Sequence, residues 1–209
     1  MKRLIVSSAL LAGAGLLSGA CGSADTTVHD ASSMSSMSAM PTESQTPITS
    51  PAADHNDRDV WFAQMMIPHH RQAVEMAKLA EDRAVGSQVK ELAQKIRAAQ
   101  DPEIQTMTGW LESWGVQAPG ESAMPMDHDM PGMEMPGMMS GTDMKKLEGL
   151  SGTTFDRAFL TMMIEHHHGA ITMAEEEQGA GVYEPAIQMA ASIISSQSAE
   201  IRTMKQLLQ

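Results

Sequence analysis

Apolar positions recur along this chain in two blocks with the three- and four-residue spacing of an amphipathic helix, and each block breaks once near its middle. The first block runs from Asp57 to Trp114 and the second from near Thr153 to the C-terminus. Val85-Gly86-Ser87 interrupts the first, with Ser87 placed to cap the next helix. Gly179-Ala180-Gly181 interrupts the second, with Pro185 near the start of the last helix. The pattern predicts four helices, roughly 57–82, 88–114, 153–178 and 184–208. No segment shows sustained strand alternation. Pro68 and Pro102 fall inside helical patterns and are expected to kink or locally open them.

The two blocks are copies of one another. An offset of 97 residues sets Asp59 on Asp156, Phe62 on Phe159, Met65-Met66-Ile67 on Met162-Met163-Ile164, and His69-His70 on His166-His167. It continues without a gap through Met76 and Met173, Gln100 and Gln197, Glu103 and Glu200, and Met107 and Met204. One offset held over about fifty residues marks an internal duplication. Short turns make each copy an antiparallel hairpin that cannot bury its apolar stripe alone. The expected fold is therefore all-α: an antiparallel four-helix bundle built from two duplicated helical hairpins. The duplicated domain spans 55–209, with a first copy at 55–114, an insert at 115–142 and a second copy at 143–209.

The residues before it read differently. Lys2 and Arg3, the apolar run Leu4 to Leu17, and Ser18-Gly19-Ala20 have the form of a signal peptide over 1–20. That run is too short for a membrane-spanning helix, which needs ~20 residues. Cys21, the one cysteine, follows immediately and is read as the lipid-bearing N-terminus of an exported protein. Leu17 lies one place further from it than the usual lipobox puts it. Residues 22–54, rich in Ser, Thr, Ala, Pro and Asp, read as a tether. The expected location is outside the cytoplasm, lipid-anchored to the outer face of the cytoplasmic membrane or in the cell envelope.

Charge and composition narrow the function. The net charge of −12 becomes −14 once Lys2 and Arg3 are removed with the signal, which argues against nucleic acid and is compatible with cations. Methionine is in excess, with 21 residues. Seven of them fall within the sixteen residues 124–139: Met124, Met126, Met130, Met133, Met135, Met138 and Met139, with His128 among them. The prolines and glycines of that stretch argue against a core role. Exposed methionines oxidise readily, and ordinary linkers do not use them. A flexible array that collects copper explains the composition better.

Projected at ~100° per residue, Met65, His69 and Met76 share one stripe of the first helix, with His70 at its edge. Met162, His166, Met173 and His167 repeat this in the second copy. Gln100 and Met107, with Gln197 and Met204, lie central on the facing helices. Methionine at helical spacing is ordinarily core filler, and Met66, Met163 and Met189 are read that way. A doubled His-His beside thioethers instead suits a soft metal: Cu(I) ahead of Cu(II), with Zn and Ni open to imidazole alone. A di-iron centre needs two Glu-x-x-His motifs, and Glu165-x-x-His168 has only Pro68-x-x-Arg71 opposite it. No phosphate loop, nucleophile elbow, Cys–His pair or His-Glu-x-x-His is present. The chain therefore reads as a non-enzymatic binder, with a copper or iron redox enzyme left open beside it.

These residues resemble domain-of-unknown-function family 305, a group of bacterial envelope proteins. The resemblance rests on Phe62-x-x-Met-Met-Ile-Pro-His-His70, Ala73 and Met76-Ala77; on Gln100-x-x-Glu-Ile-x-x-Met107, Trp114-Gly115 and Met135-Pro-Gly-Met138; and on Phe155-Asp-Arg-x-Phe-Leu-x-Met-Met-Ile-x-His-His167. It covers roughly 55–208 and implies a ferritin-like four-helix fold. Some cyanobacterial members are periplasmic copper-binding proteins, which implies a copper-handling role; for a chain that passes copper on, the expected partner is a copper-transfer protein. A helical interaction module that binds no metal is the competing reading.

Overall fold

The first helix begins where the chain can satisfy its free N–H groups. The Asn56 side chain accepts from the backbone N–H of Arg58 and Asp59, and the Asp59 carboxylate accepts from the Asn56 N–H at 2.6 Å. This reciprocal cap starts α1, Asp57–Arg83. The computed structural model describes residues 54–120 and 135–209. In it α1 is followed by α2 (Ser87–Ser113), α3 (Gly141–Glu148), α4 (Gly152–Ala180) and α5 (Glu184–Leu207), and the described residues contain no strand. The signal, Cys21, residues 22–53, Met124, Met126, His128, Met130 and Met133 lie outside the described residues. Among the described residues no helix is long and apolar enough to cross a membrane.

α1 packs along α2, α4 along α5, and α1 along α4, while α3 touches α1 and α4. On α1 and α2, His70 meets Glu103 while Glu81 meets Arg97, so the two helices run antiparallel. Arg157 reaching the Leu208 carbonyl while His167 meets Glu200 says the same of α4 and α5. The turns within the copies are tied across. Asp156 of α4 accepts from the N–H of Val85 (3.2 Å) and Gly86 (2.9 Å), just before α2. Asp59 of α1 accepts from Val182 (3.1 Å) and Tyr183 (3.0 Å), just before α5. Each copy thus supplies the cap that the other's second helix lacks, since neither Gly86 nor Tyr183 makes a side-chain cap.

The core falls into two apolar clusters. One holds Met76, Leu92, Ile96, Phe155, Phe159, Met163, Ile201 and Met204. The other holds Phe62, Met66, Ile67, Met107, Leu111, Met173 and Ile193. Full burial of each such large side chain is worth roughly 1.5–3 kcal/mol. Every long helix contributes to both clusters, and between its two contributions it carries a buried polar residue: His69 and His70, Gln100, His166 and His167, or Gln197.

Three expectations need correction. α3 is a fifth helix, started by Ser140 accepting from the Asp143 N–H and held down by fully buried Leu147. A helix of eight residues is too short for its period to stand out against flanking glycines. Ser87 lies inside α2, whose cap position is Gly86. α1 and α2 also remain helical through Pro68 and Pro102, each of which forgoes one backbone hydrogen bond. Met139, expected to be excluded from the core, is buried in the first cluster because its backbone pairs with Gln72.

Candidate metal centre

The polar residues between the two clusters form one layer. Its centre is His69 of α1 against His166 of α4, with ring centroids 3.8 Å apart and planes tilted by 41°. Both are fully buried, as are His70 and His167, and Gln100 and Gln197 are nearly so. His70 Nε2 lies 2.8 Å from Glu103 Oε2, and His167 Nε2 lies 2.7 Å from Glu200 Oε2. His69 Nε2 lies 3.1 Å from the Pro136 carbonyl oxygen. Five imidazole nitrogens remain buried without a hydrogen-bond partner: Nδ1 of all four histidines and Nε2 of His166. The amide oxygens of Gln100 and Gln197 are also unpartnered. Buried polar atoms are nearly always satisfied, so their concentration in one layer is informative.

Burial favours the neutral ring at His69, His166 and His167. It pushes His69 down to about 3, helped by the neighbouring His70 and opposed by the Pro136 carbonyl. His166 is held well below the ordinary histidine value by burial and then by His69. His167 is also lowered by burial, against the upward pull of Glu200. A neutral imidazole keeps the lone pair a metal needs.

The thioethers are sorted by the same burial. Met66 and Met163, one turn before His69 and His166, are fully buried, as are Met76, Met107 and Met204, with Met173 nearly so. Met65 and Met162, expected on the buried stripe with His69 and His166, are only half-buried at its margin. His70 and His167, expected at the edge, are fully buried. The cause is that α1 and α4 each pack on two neighbours, which turns the buried arc away from Met65 and Met162. Of the insert, Met135 and Met138 are half-buried beside the layer's Pro136. Glu165 and His168 are exposed, which removes them from any buried di-iron arrangement.

Among the described residues, no three His, Cys, Asp or Glu side chains already converge as a ligand group. An ion in this layer would draw on imidazole together with thioether or amide donors. Glu103 and Glu200 were not singled out from the sequence as site residues. Their match at the 97-residue offset, in step with His70 and His167, was the available signal.

The family model for Domain of unknown function (DUF305) matches residues 59–208, and the chain belongs to that family. No curated protein matches it. Among solved structures, the DUF305 protein of Streptomyces coelicolor, provisionally described as secreted, is 37% identical with a TM-score of 0.65, over 75% of this chain and 94% of that one. A DUF305 fragment from Deinococcus radiodurans is 31% identical with a TM-score of 0.64, over 73% and 96%. CopM in its Cu(II)-bound form is 34% identical with a TM-score of 0.60, over 72% and 95%. CopM is also solved with Cu(I) and with Ag.

Proposed function

We propose that this DUF305 protein is a non-enzymatic copper binder of the cell envelope that buffers Cu(I) or passes it to a copper-transfer partner. The observation that carries the reading is the layer of four fully buried histidines whose five free nitrogens have no partner within an apolar core. Imidazole flanked by thioethers is a donor set for a soft monovalent ion. Copper and silver binding by CopM, a relative over most of this chain, supports the same choice. His69 and His166 are the principal ligands, with His70 and His167 beside them. Met66, Met76, Met107, Met163, Met173 and Met204 are the buried thioethers, and Met65 and Met162 the marginal ones.

In this reading the four long helices are an antiparallel bundle of two duplicated hairpins, to which α3 is an addition. The reciprocal Asp59 and Asp156 caps support it. The chain is exported, anchored through Cys21 and extended from the membrane by its tether, and residues 124–139 collect ions at lower affinity. The secreted description of the Streptomyces relative supports export.

The test is a Cu(I) competition titration of residues 22–209 against a chromophoric chelator, with Zn(II) and Ni(II) as controls. Tight, copper-selective uptake of one or two ions is expected. Uptake no greater than that of the isolated 124–139 peptide would overturn the reading and favour an interaction module.

A further inference from the structure

Three of the four buried imidazoles engage the same ring nitrogen with an oxygen. Nε2 of His70 faces Glu103, Nε2 of His167 faces Glu200, and Nε2 of His69 faces the Pro136 carbonyl. A carbonyl or a carboxylate oxygen only accepts, so Nε2 must carry a hydrogen in each of the three, and whenever such a ring is neutral Nδ1 keeps the lone pair. Those Nδ1 atoms are buried and unpartnered. His166, the counterpart of His69, has neither nitrogen in a hydrogen bond of full geometry, and the His69 backbone beside it exerts only a weak upward pull.

The difference between His69 and His166 is built by a short strap, Met135 to Met139. At one end, Gln72 pairs with the Met139 backbone in both directions, donating to its carbonyl at 2.9 Å and accepting from its N–H at 2.7 Å. At the other, Pro136 and Gly137 lie flat against α4 at Gly169. A Cβ on Gly169 would run into the Pro136 carbonyl, and Gly137 has the positive φ, 75°, that an L side chain resists. Gln72 and Gly169 are equivalent positions of the two copies. One clamps the strap and the other makes room for it.

We propose, resting on the copper reading above, that Glu103, Glu200 and the strap-held Pro136 carbonyl are positioning groups. They preset Nδ1 as the metal-donating nitrogen of His70, His167 and His69. His166 has neither a carboxylate nor the strap carbonyl on it and is left the least constrained of the four in its choice of donor nitrogen. A metal-bound histidine ordinarily gives its second N–H to a carboxylate or carbonyl, which fixes the tautomer and strengthens the donor.

Two-bond 15N–1H correlation spectra of the metal-free, histidine-labelled protein read the tautomers directly. The Nε2–H form is expected at His69, His70 and His167. An Nδ1–H form at His70 and His167 would overturn the proposal. Adding Ag(I) as the probe should then move the Nδ1 resonances of those three rings, and movement at their Nε2 instead would also overturn it. Glu103→Gln with Glu200→Gln keeps the side-chain size and is expected to weaken Ag(I) and Cu(I) binding roughly 10–100-fold with unchanged helical circular dichroism. Gly169→Ala should disturb the tautomer of His69 and leave His70 and His167 as they were, and an undisturbed His69 would remove the strap from the proposal. The two readings fail differently. Wrong tautomers with Ag(I) shifts intact overturn the positioning alone, whereas the expected tautomers with no Ag(I) shift overturn copper binding and the donor assignment with it.

Discussion

His69 and His166 stand at equivalent places in two helices that repeat one another, yet only His69 has the strap's Pro136 carbonyl on its ring. The same divergence recurs at the ends of the helices. Asp156 accepts from two backbone N–H groups, Val85 and Gly86, and the residue matching Glu177 in the first copy is Ala80. Asp59 accepts from Asn56, Val182 and Tyr183 and also faces fully buried Glu177. The duplication supplies two sets of helices and two sets of paired histidines and glutamates. Features present once, the strap and Glu177, make the halves chemically unequal.

The largest effect is expected where the copies act together. Replacing both His69 and His166 by Ala should lower Cu(I) affinity by more than the roughly 10–100-fold of a change behind the ligands, measured by chelator competition. Deleting residues 124–139 should cost less, and the reverse order would move the main site out of the helices. Next come paired core variants. Met66→Ala and Met163→Ala occupy matching places in the two clusters, so each should destabilise by about 2–5 kcal/mol in urea unfolding, and by similar amounts. Met65→Ala and Met162→Ala should cost roughly 1 kcal/mol or less. Unequal losses within a pair would break the two-fold description of the core.

The strap gives a smaller, asymmetric effect. Gly169→Ala overpacks the contact with Pro136, for about 1–3 kcal/mol. Gln72→Ala leaves the Met139 backbone groups without their partner, for about 1–3 kcal/mol. The two positions match in sequence, but the first variant fails by excess and the second by loss. Gln72→Asn should therefore recover little, because its amide falls short of Met139.

A last contrast separates the halves by pH. Burial, then the hydrogen bond with Asp59 and its charge, raises Glu177 from 4.5 to about 8. Between those values the unfolded chain releases this proton and the folded chain keeps it, so stability falls as pH rises. Glu177→Gln should raise the Tm by roughly 2–4 °C at pH 8 for each kcal/mol recovered, and hardly change it near pH 4.5. Asp59 moves the other way: burial would raise it, but the N–H donors of Asn56, Tyr183 and Val182 and the Glu177 hydrogen bond lower it. The histidine layer adds an acid limb. His69 is lowered from 6.5 to about 3, so the unfolded chain gains protons first and stability falls as pH drops below about 6.5. That limb should persist in Glu177→Gln and shrink in the double His69, His166 variant.

Much of this was legible along the chain. The four long helices follow from apolar period and breaks, because helix formation depends on residues three and four apart. The His-His motifs and their partners Glu103 and Glu200 stood in register at the 97-residue offset, although only the histidines were read as chemistry. Their pairing needed the antiparallel packing of α1 on α2 and α4 on α5, which brings residues thirty-three apart to 2.8 and 2.7 Å. A helical projection assigned Met65 and Met162 to the site because it assumes one buried face. Helices packed on two neighbours bury a wider arc, and Met66 and Met163 lie within it.

The helical class, the duplication and the short list of residues able to bind a soft metal are local properties of the chain, carried by period, spacing and side-chain type. Which histidine nitrogen is left bare is not local. It depends on an oxygen brought from another helix or from the strap, over separations of thirty-three residues for His70 and His167 and sixty-seven for His69. Contacts of that range are set by how whole elements pack, and no pattern within a single helix encodes them.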